Sequence, residues 1–234
     1  MKIKTEKSTY REVMARERNE RKKPVRPNIL FRSLIYILSQ PSMRKTHFSV
    51  RKKGMKKLGK KEPCLVLMNH SSFIDLKIAS TLLYPRPFNI ICEADGFVGK
   101  EWLMRQIGCI PTHKFVSETA LVKDMMYTVR TLKSSILLYP EASYSFDGTS
   151  PTPLPESLGK CIKLLKVPVV MIRTYGAFQR DPLYNLLKLR NVDVSADMEY
   201  LLSPEEIASL TSDDINSLVS SRFAFDHFQW QKEN

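Results

Sequence analysis

The stretch Cys64-Leu65-Val66-Leu67-Met68-Asn69-His70-Ser71-Ser72-Phe73-Ile74-Asp75 decides the fold. Its five consecutive apolar residues form a short unbroken run, which reads as a strand buried on both faces. The run stops at a polar loop, and Asp75 falls in the first turns of a following helix. Strand, tight loop and helix in that order are the repeating unit of an α/β domain. The strand delivers His70 to the carboxyl edge of its sheet, the edge at which open α/β sheets bind ligands.

The same rhythm continues along the chain. Phe88 to Cys92, Ser135 to Tyr139 and Val167 to Ile172 are further short apolar runs with polar or proline punctuation. Helical periodicity fills the gaps. Leu121, Met125, Val129 and Leu132 share one face of a helix starting near Ser117, and Leu158, Cys161, Ile162 and Leu165 one face of a helix starting at Ser157. From Val192 to Tyr200 apolar and polar residues alternate, which predicts a half-exposed strand near an edge. Ser203-Pro204-Glu205-Glu206 has the cap, proline and acid order of a helix start, and a second helix is expected near Thr211, giving C-terminal helices over 203–234. The expected fold is α/β, a mostly parallel central sheet flanked by helices.

Of the 234 residues 43% are apolar, enough for a sizeable core and against general disorder. The net charge is +13, but it is unevenly spread. Residues 1 to 61 hold 20 basic and 4 acidic side chains, while the rest of the chain carries a small negative excess. Residues 1 to 26 read as a solvated helix or a loose arm. Between Pro27 and Pro41, the apolar residues of Ile29 to Leu38 recur at helical spacing, and ten residues rise only about 15 Å. That segment is too short to span a bilayer. Two readings stand for it: a helix lying at the headgroup level with its cations toward anionic lipid, or a helix packed on the domain. The chain therefore divides into a basic, helical, membrane-docking segment over 1–46 and an α/β domain over 47–234. No signal peptide is expected, since the first apolar stretch begins only at Ile29. Cys64, Cys92, Cys109 and Cys161 form no C-x-x-C pair and read as reduced core residues of an intracellular protein.

The chemistry concentrates at two strand ends. After the first, the Asp75 carboxylate can fold back onto His70, accept from Nδ1 and leave Nε2 to draw a proton from a hydroxyl about 3 Å away. A histidine bonded within its loop and an aspartate at a helix start are the alternative. After the second, Tyr139-Pro140-Glu141-Ala142-Ser143-Tyr144 places Glu141 at the same sheet edge if the two strands are parallel, and the helix at 157 to 166 supplies the crossover that parallel pairing needs. The glycines form neither a dinucleotide fingerprint nor a P-loop, no histidine or cysteine stands at ligand spacing from His70, and no cofactor or metal is expected.

Asn69-His70-x4-Asp75 resembles the N-H-x4-D motif of the glycerolipid acyltransferases, a family that includes 1-acylglycerol-3-phosphate acyltransferases. Pro140-Glu141 is similar to the family's F-P-E-G-T block, Gly108 to Lys114 to a block that ends in arginine, and Val167-Pro168-Val169-Val170 to its V-P block; the order and separations agree from about residue 47 to 178. The resemblance implies transfer of a fatty acyl group from acyl-CoA or acyl carrier protein to a lysophospholipid hydroxyl, in phospholipid biosynthesis, by a peripheral protein on the cytoplasmic face of a membrane. His70 would be the general base and Asp75 its orienting partner, with direct attack on the thioester and no acyl-enzyme. Asn69, Glu141, Ser143 and Lys114 would bind the acceptor, with Glu141 holding a glycerol hydroxyl or a neighbouring loop amide. An apolar acyl groove would draw on Phe73, Trp102, Leu103, Met104 and Ile107.

The sequence departs from the family where Ala142, Ser143 and Tyr144 follow the glutamate and where Lys114 replaces arginine. A lysine is a point charge and a tyrosine a neutral donor, so the bidentate guanidinium grip on a phosphate is missing unless Lys114, Arg173 or Lys160 supplies the charge. That departure motivates a rival, a lipid-binding protein on this fold without turnover. The basic arm motivates another, nucleic-acid binding, but the arm lacks interleaved aromatics and no nucleic acid is expected as a partner.

Overall fold

The computed structural model describes residues 9, 11, 22–112, 119–150, 154–180 and 189–233. Seven strands form one sheet: β1 (Ser49–Lys53), β2 (Leu65–Met68), β3 (Phe88–Glu93), β4 (Cys109–Thr112), β5 (Ser135–Leu138), β6 (Val169–Tyr175) and β7 (Ser195–Leu202). Their spatial order is β1-β7-β6-β2-β5-β3-β4. The five from β6 to β4 are parallel, while β7 runs antiparallel to β6 and takes β1 with it. The mostly parallel α/β sheet expected from the sequence is the observed one.

Period-two alternation sorts the side chains of β2 between two cores. Cys64, Val66 and Met68 face one side with Ile78, Ala79 and Leu83 of α2 (Asp75–Leu83). Leu65 and Leu67 face the other with Met125 and Val129 of α4 (Thr119–Arg130) and Ile162 and Leu165 of α5 (Ser157–Leu165). A strand buried on both faces cannot alternate in polarity, which is why its sequence is an unbroken apolar run. α3 (Glu101–Gln106) precedes β4, and a single turn, α6 (Ala177–Arg180), follows β6. At the C-terminus α7 (Pro204–Ser209) and α8 (Ser212–Phe223) both begin with capping boxes, Ser203 with Glu206 and Thr211 with Asp214, as the cap residues predict. α9 (His227–Glu233) follows. The expected start of α4 at Ser117 lies outside the described residues.

The strand expected over Val192 to Tyr200 near an edge begins later, at Ser195, and lies one strand in from the edge. β1 covers it, and Arg51 and Lys53 meet Asp197 and Glu199 across the β1–β7 ladder. The charges that hide β1 from a hydrophobicity reading are those that pair it with β7.

Of residues 1–26, expected as a solvated helix or a loose arm, 1–8, 10 and 12–21 lie outside the described residues, and Arg11 is helical and exposed. Residues 22–28 form neither helix nor strand, and the chain there is pinned to the domain. Arg105 donates to the Lys22 and Lys23 carbonyls at 3.1 and 2.7 Å, Asn89 donates to that of Val25 at 2.9 Å, and Pro24 and Pro27 are buried. The helix expected over Ile29 to Leu38 is α1 (Ile29–Lys45), capped by Asn28 and running through Pro41. A proline removes one helical hydrogen bond, and here the turn beyond it is retained by Met43 in the core and by the Lys77 Nζ bond to Ser42 Oγ at 2.9 Å. α1 packs antiparallel to α2, with Arg32 Nη1 on the Pro85 carbonyl at one end and Ser42 on Lys77 at the other. Its outer face leaves Leu30, Leu34, Ile37 and Leu38 at least half exposed. None of the described helices is long and apolar enough to cross a membrane.

Candidate active site

β2 and β5 are adjacent and parallel, with Leu65 opposite Ile136 and Leu67 opposite Leu138. Carried past the strand ends, that register sets His70 opposite Glu141 at the carboxyl edge, which is how residues 71 positions apart come to share a site. The Glu141 carboxylate accepts the His70 backbone N–H through Oε2 at 2.8 Å, and Ser145 donates its own N–H to the His70 carbonyl at 2.7 Å. Both peptide groups flanking the histidine are thus fixed by the loop after β5. Of the two roles open to Glu141, its carboxylate takes the loop amide.

His70 Nδ1 lies 3.0 Å from Asp75 Oδ2, and the same oxygen accepts the Ser71 and Ser72 N–H groups at 2.8 and 3.0 Å. Asp75 is fully buried at the start of α2, where a carboxylate also meets the positive end of the helix dipole. Three donors on one oxygen leave it a single orientation. Asn69 is buried as well, and its Oδ1 accepts from Thr174 N at 2.8 Å and Thr174 Oγ1 at 3.2 Å. Its carbonyl oxygen therefore ties the loop to β6.

The imidazole is sandwiched. Tyr139 stacks on one side with ring centroids 3.9 Å apart and Tyr144 at 3.7 Å, at interplanar angles of 19° and 28°. Only 18% of the His70 side chain reaches solvent, and with both faces covered that exposure belongs to the ring edge. Tyr139 is partly buried, and desolvation pushes its phenol well above the ordinary range, so it stays neutral. Burial also raises Glu141, opposed by the Ser150 hydroxyl, the His70 N–H and the His70 charge.

The remaining expected residues divide. Ser143 is exposed in the loop, its Oγ 3.5 Å from the Glu141 carbonyl, and Phe73 is half exposed against Tyr144. Lys114, with His113, lies outside the described residues. Arg173 does not bring charge to the opening: it is buried and donates to the Ala224 carbonyl at 2.6 Å and to that of Arg222. Trp102 and Leu103 are partly exposed on α3, with Phe31 against Trp102, whereas Met104 and Ile107 pack on Ala94, Phe97 and Cys109. Ile107 also lines a cavity between α1 and α2 of about 20 Å³, room for little more than one water. The Tyr139 and Tyr144 stacks and the Thr174 anchor were not read from the sequence. The aromatic residues on either side of Pro140-Glu141 were the available signal.

A family model described as Acyltransferase matches residues 49–174, just over half of the chain. Among solved structures the chain is similar to the 1-acyl-sn-glycerophosphate (LPA) acyltransferase PlsC from Thermotoga maritima, with a TM-score of 0.59 and 18% identity over 82% of this chain and 77% of that one. At that identity the likeness is one of fold. No curated protein gives a significant match. The motif blocks, the seven-stranded sheet and the matched region agree with the resemblance read from the sequence, and the chain belongs to the acyltransferase family.

Proposed function

We propose that the protein transfers a fatty acyl group from acyl-CoA or acyl carrier protein to the hydroxyl of a lysophospholipid of the lysophosphatidate kind, at the surface of an anionic membrane. The observation that carries this reading is the His70 Nδ1 to Asp75 Oδ2 contact of 3.0 Å at the sheet's carboxyl edge. With Asp75 accepting from Nδ1–H, the lone pair of Nε2 is available at the exposed ring edge. It takes the proton of the acceptor hydroxyl as the oxygen attacks the thioester carbonyl. The tetrahedral adduct collapses to the ester, and the departing thiolate receives the proton back from the imidazolium. Asp75 stabilises that imidazolium, so the cation forms beside a carboxylate already desolvated and aligned. No nucleophilic side chain is required.

Membrane docking is supported by the outer face of α1, where Leu30, Leu34, Ile37 and Leu38 are exposed on a segment rich in Lys and Arg. The protein would then be peripheral, on the cytoplasmic face. Incubating the purified protein with acyl-CoA and lysophosphatidate and recording free CoA tests the reaction. Release that persists unchanged in His70→Ala removes the histidine from it. A second reading draws on the Tyr144 stack over His70: a protein that binds lipid and does not turn over. Liposome binding with no transfer to any lysolipid would establish it.

A further inference from the structure

At the end of the sheet opposite His70, a cleft of about 1050 Å³ opens where the parallel strands begin. Pro63, Pro87 and Ser135, at the starts of β2, β3 and β5, line its floor. Its rim carries Arg26, Arg32, Lys60, Lys61, Arg86 and Lys133, and Glu62 is the sole carboxylate among its lining residues. Glu62 sets one negative charge against these six cations, and its Oε2 accepts the Gly59 N–H at 3.0 Å.

The guanidinium groups are held in place by neutral partners. Arg86 donates to the Gly59 carbonyl at 2.8 Å and to the Glu62 carbonyl, and Arg32 donates through Nη1 to the Pro85 carbonyl at 2.7 Å. These bonds orient the planar forks without cancelling their charge. The Arg32 Nε is buried and has no hydrogen-bond partner among the described residues. Burial, together with the charge of Arg26, pulls the Arg32 pKa down, so two cations stand close enough to repel. Lys60, Lys61 and Lys133 hold no ion pair among the described residues.

We propose that this cleft is a binding site for a phosphate ester, separate from the acyl-transfer site. A tetrahedral oxyanion seated there would offset the Arg26–Arg32 repulsion and meet the Arg32 and Arg86 guanidinium groups and ammonium groups from the loop before β2. The cleft has the volume of a small-molecule pocket and holds far more than a bare phosphate, so the ester's substituent lies inside it too. Arg32 sits on α1 beside exposed Ile29 and Leu30, so the acyl chains of a lipid ester would leave the cleft along an apolar surface. The site rests on none of the residues used for acyl transfer.

Calorimetric titration of the full chain at low salt tests it, with inorganic phosphate and the soluble lipid dihexanoyl phosphatidate as separate probes. The wild type and His70→Ala should bind one equivalent with the same affinity. Arg32→Gln should weaken binding about tenfold, as removal of a charge-assisted hydrogen bond does. The double variant Lys60→Gln/Lys61→Gln, on an exposed loop where folding is not at stake, should weaken it comparably. Equal affinity for both probes would identify phosphate itself as the recognised group, and saturation by the phosphatidate alone would identify a lipid headgroup. Either outcome supports the site when Lys60→Gln/Lys61→Gln lowers that affinity, because phosphatidate is also the product expected at His70. No binding of either probe, or unchanged affinity in the double variant, overturns it.

Discussion

His70 donates its backbone N–H to the Glu141 carboxylate at 2.8 Å, so the two motifs of the family meet through the main chain of one and the side chain of the other. Glu141 holds the peptide from which the imidazole hangs. With Ser145 bound to the next carbonyl and Asp75 to the ring and the following amides, the histidine is fixed at both its backbone and its ring.

Removal of the Glu141 carboxylate leaves the His70 N–H without that acceptor. Glu141→Ala should cost about 1–3 kcal/mol, and Glu141→Gln, which keeps an acceptor oxygen, should cost less. Their pH dependence separates bonding from charge. Burial raises the folded pKa of Glu141 above its unfolded value of 4.5, so the folded state holds the proton over a window in which the unfolded chain has lost it. Wild-type stability relative to Glu141→Gln should therefore fall as pH rises from 4.5 through that window, and level off above it. Melting temperatures of the pair across this range check the sign, and a difference that moves in favour of the wild type with rising pH contradicts it.

Tyr144 covers one face of the imidazole at 3.7 Å and also meets Phe73. Tyr144→Phe keeps the stack and should hold kcat within about twofold, while Tyr144→Ala frees the ring and should lower kcat by about tenfold or more, since small misplacements of a reacting group are costly. Steady-state kinetics of the two variants decide the point. Wild-type turnover in the alanine variant would mean that Asp75 alone positions the base.

α5 crosses α8 at Gly159, where an added Cβ would lie 2.0 Å from the Ser212 carbonyl oxygen. Gly159→Ala should destabilise the fold by about 1–3 kcal/mol through overpacking, although alanine is the better helix former. Chemical denaturation measures this, and a stabilised variant would mean that the two helices separate at little cost.

The outer face of α1 gives a membrane prediction. Leu34→Glu and Leu38→Glu replace exposed residues, so they should leave the melting temperature nearly unchanged while releasing the protein from vesicles containing anionic lipid. Sedimentation with such vesicles reports the bound fraction. Undiminished binding in the double variant would place the contact elsewhere.

Much of this arrangement was legible because burial on both faces leaves a plain signature. Leu65 to Met68 read as a strand since neither face sees water, and the crossover through α5 joins β5 to β6, the two strands that flank β2. β1 was not legible: Arg51, Lys52 and Lys53 look like loop residues until Asp197 and Glu199 are seen opposite. β4 escaped because only four residues form it and one is Pro111. The His70–Asp75 contact could be proposed from spacing, since only four residues separate them across a tight loop. The stack of Tyr139 and Tyr144 could not, because it depends on how a loop closes over a ring and not on any period in the chain. Glu141 lay between the two cases. Its sheet edge was predictable from register, but its choice of a backbone partner depended on the β2–β5 offset.

The central claim is that His70 is the base of an acyl transfer. It is tested most directly by free CoA released from acyl-CoA in the presence of lysophosphatidate, comparing wild type with His70→Ala at matched folding. The predicted result is acceptor-dependent release by the wild type, reduced about 10²–10⁴-fold in the variant, the range expected for loss of a positioned general base. Equal release by the two proteins would contradict it.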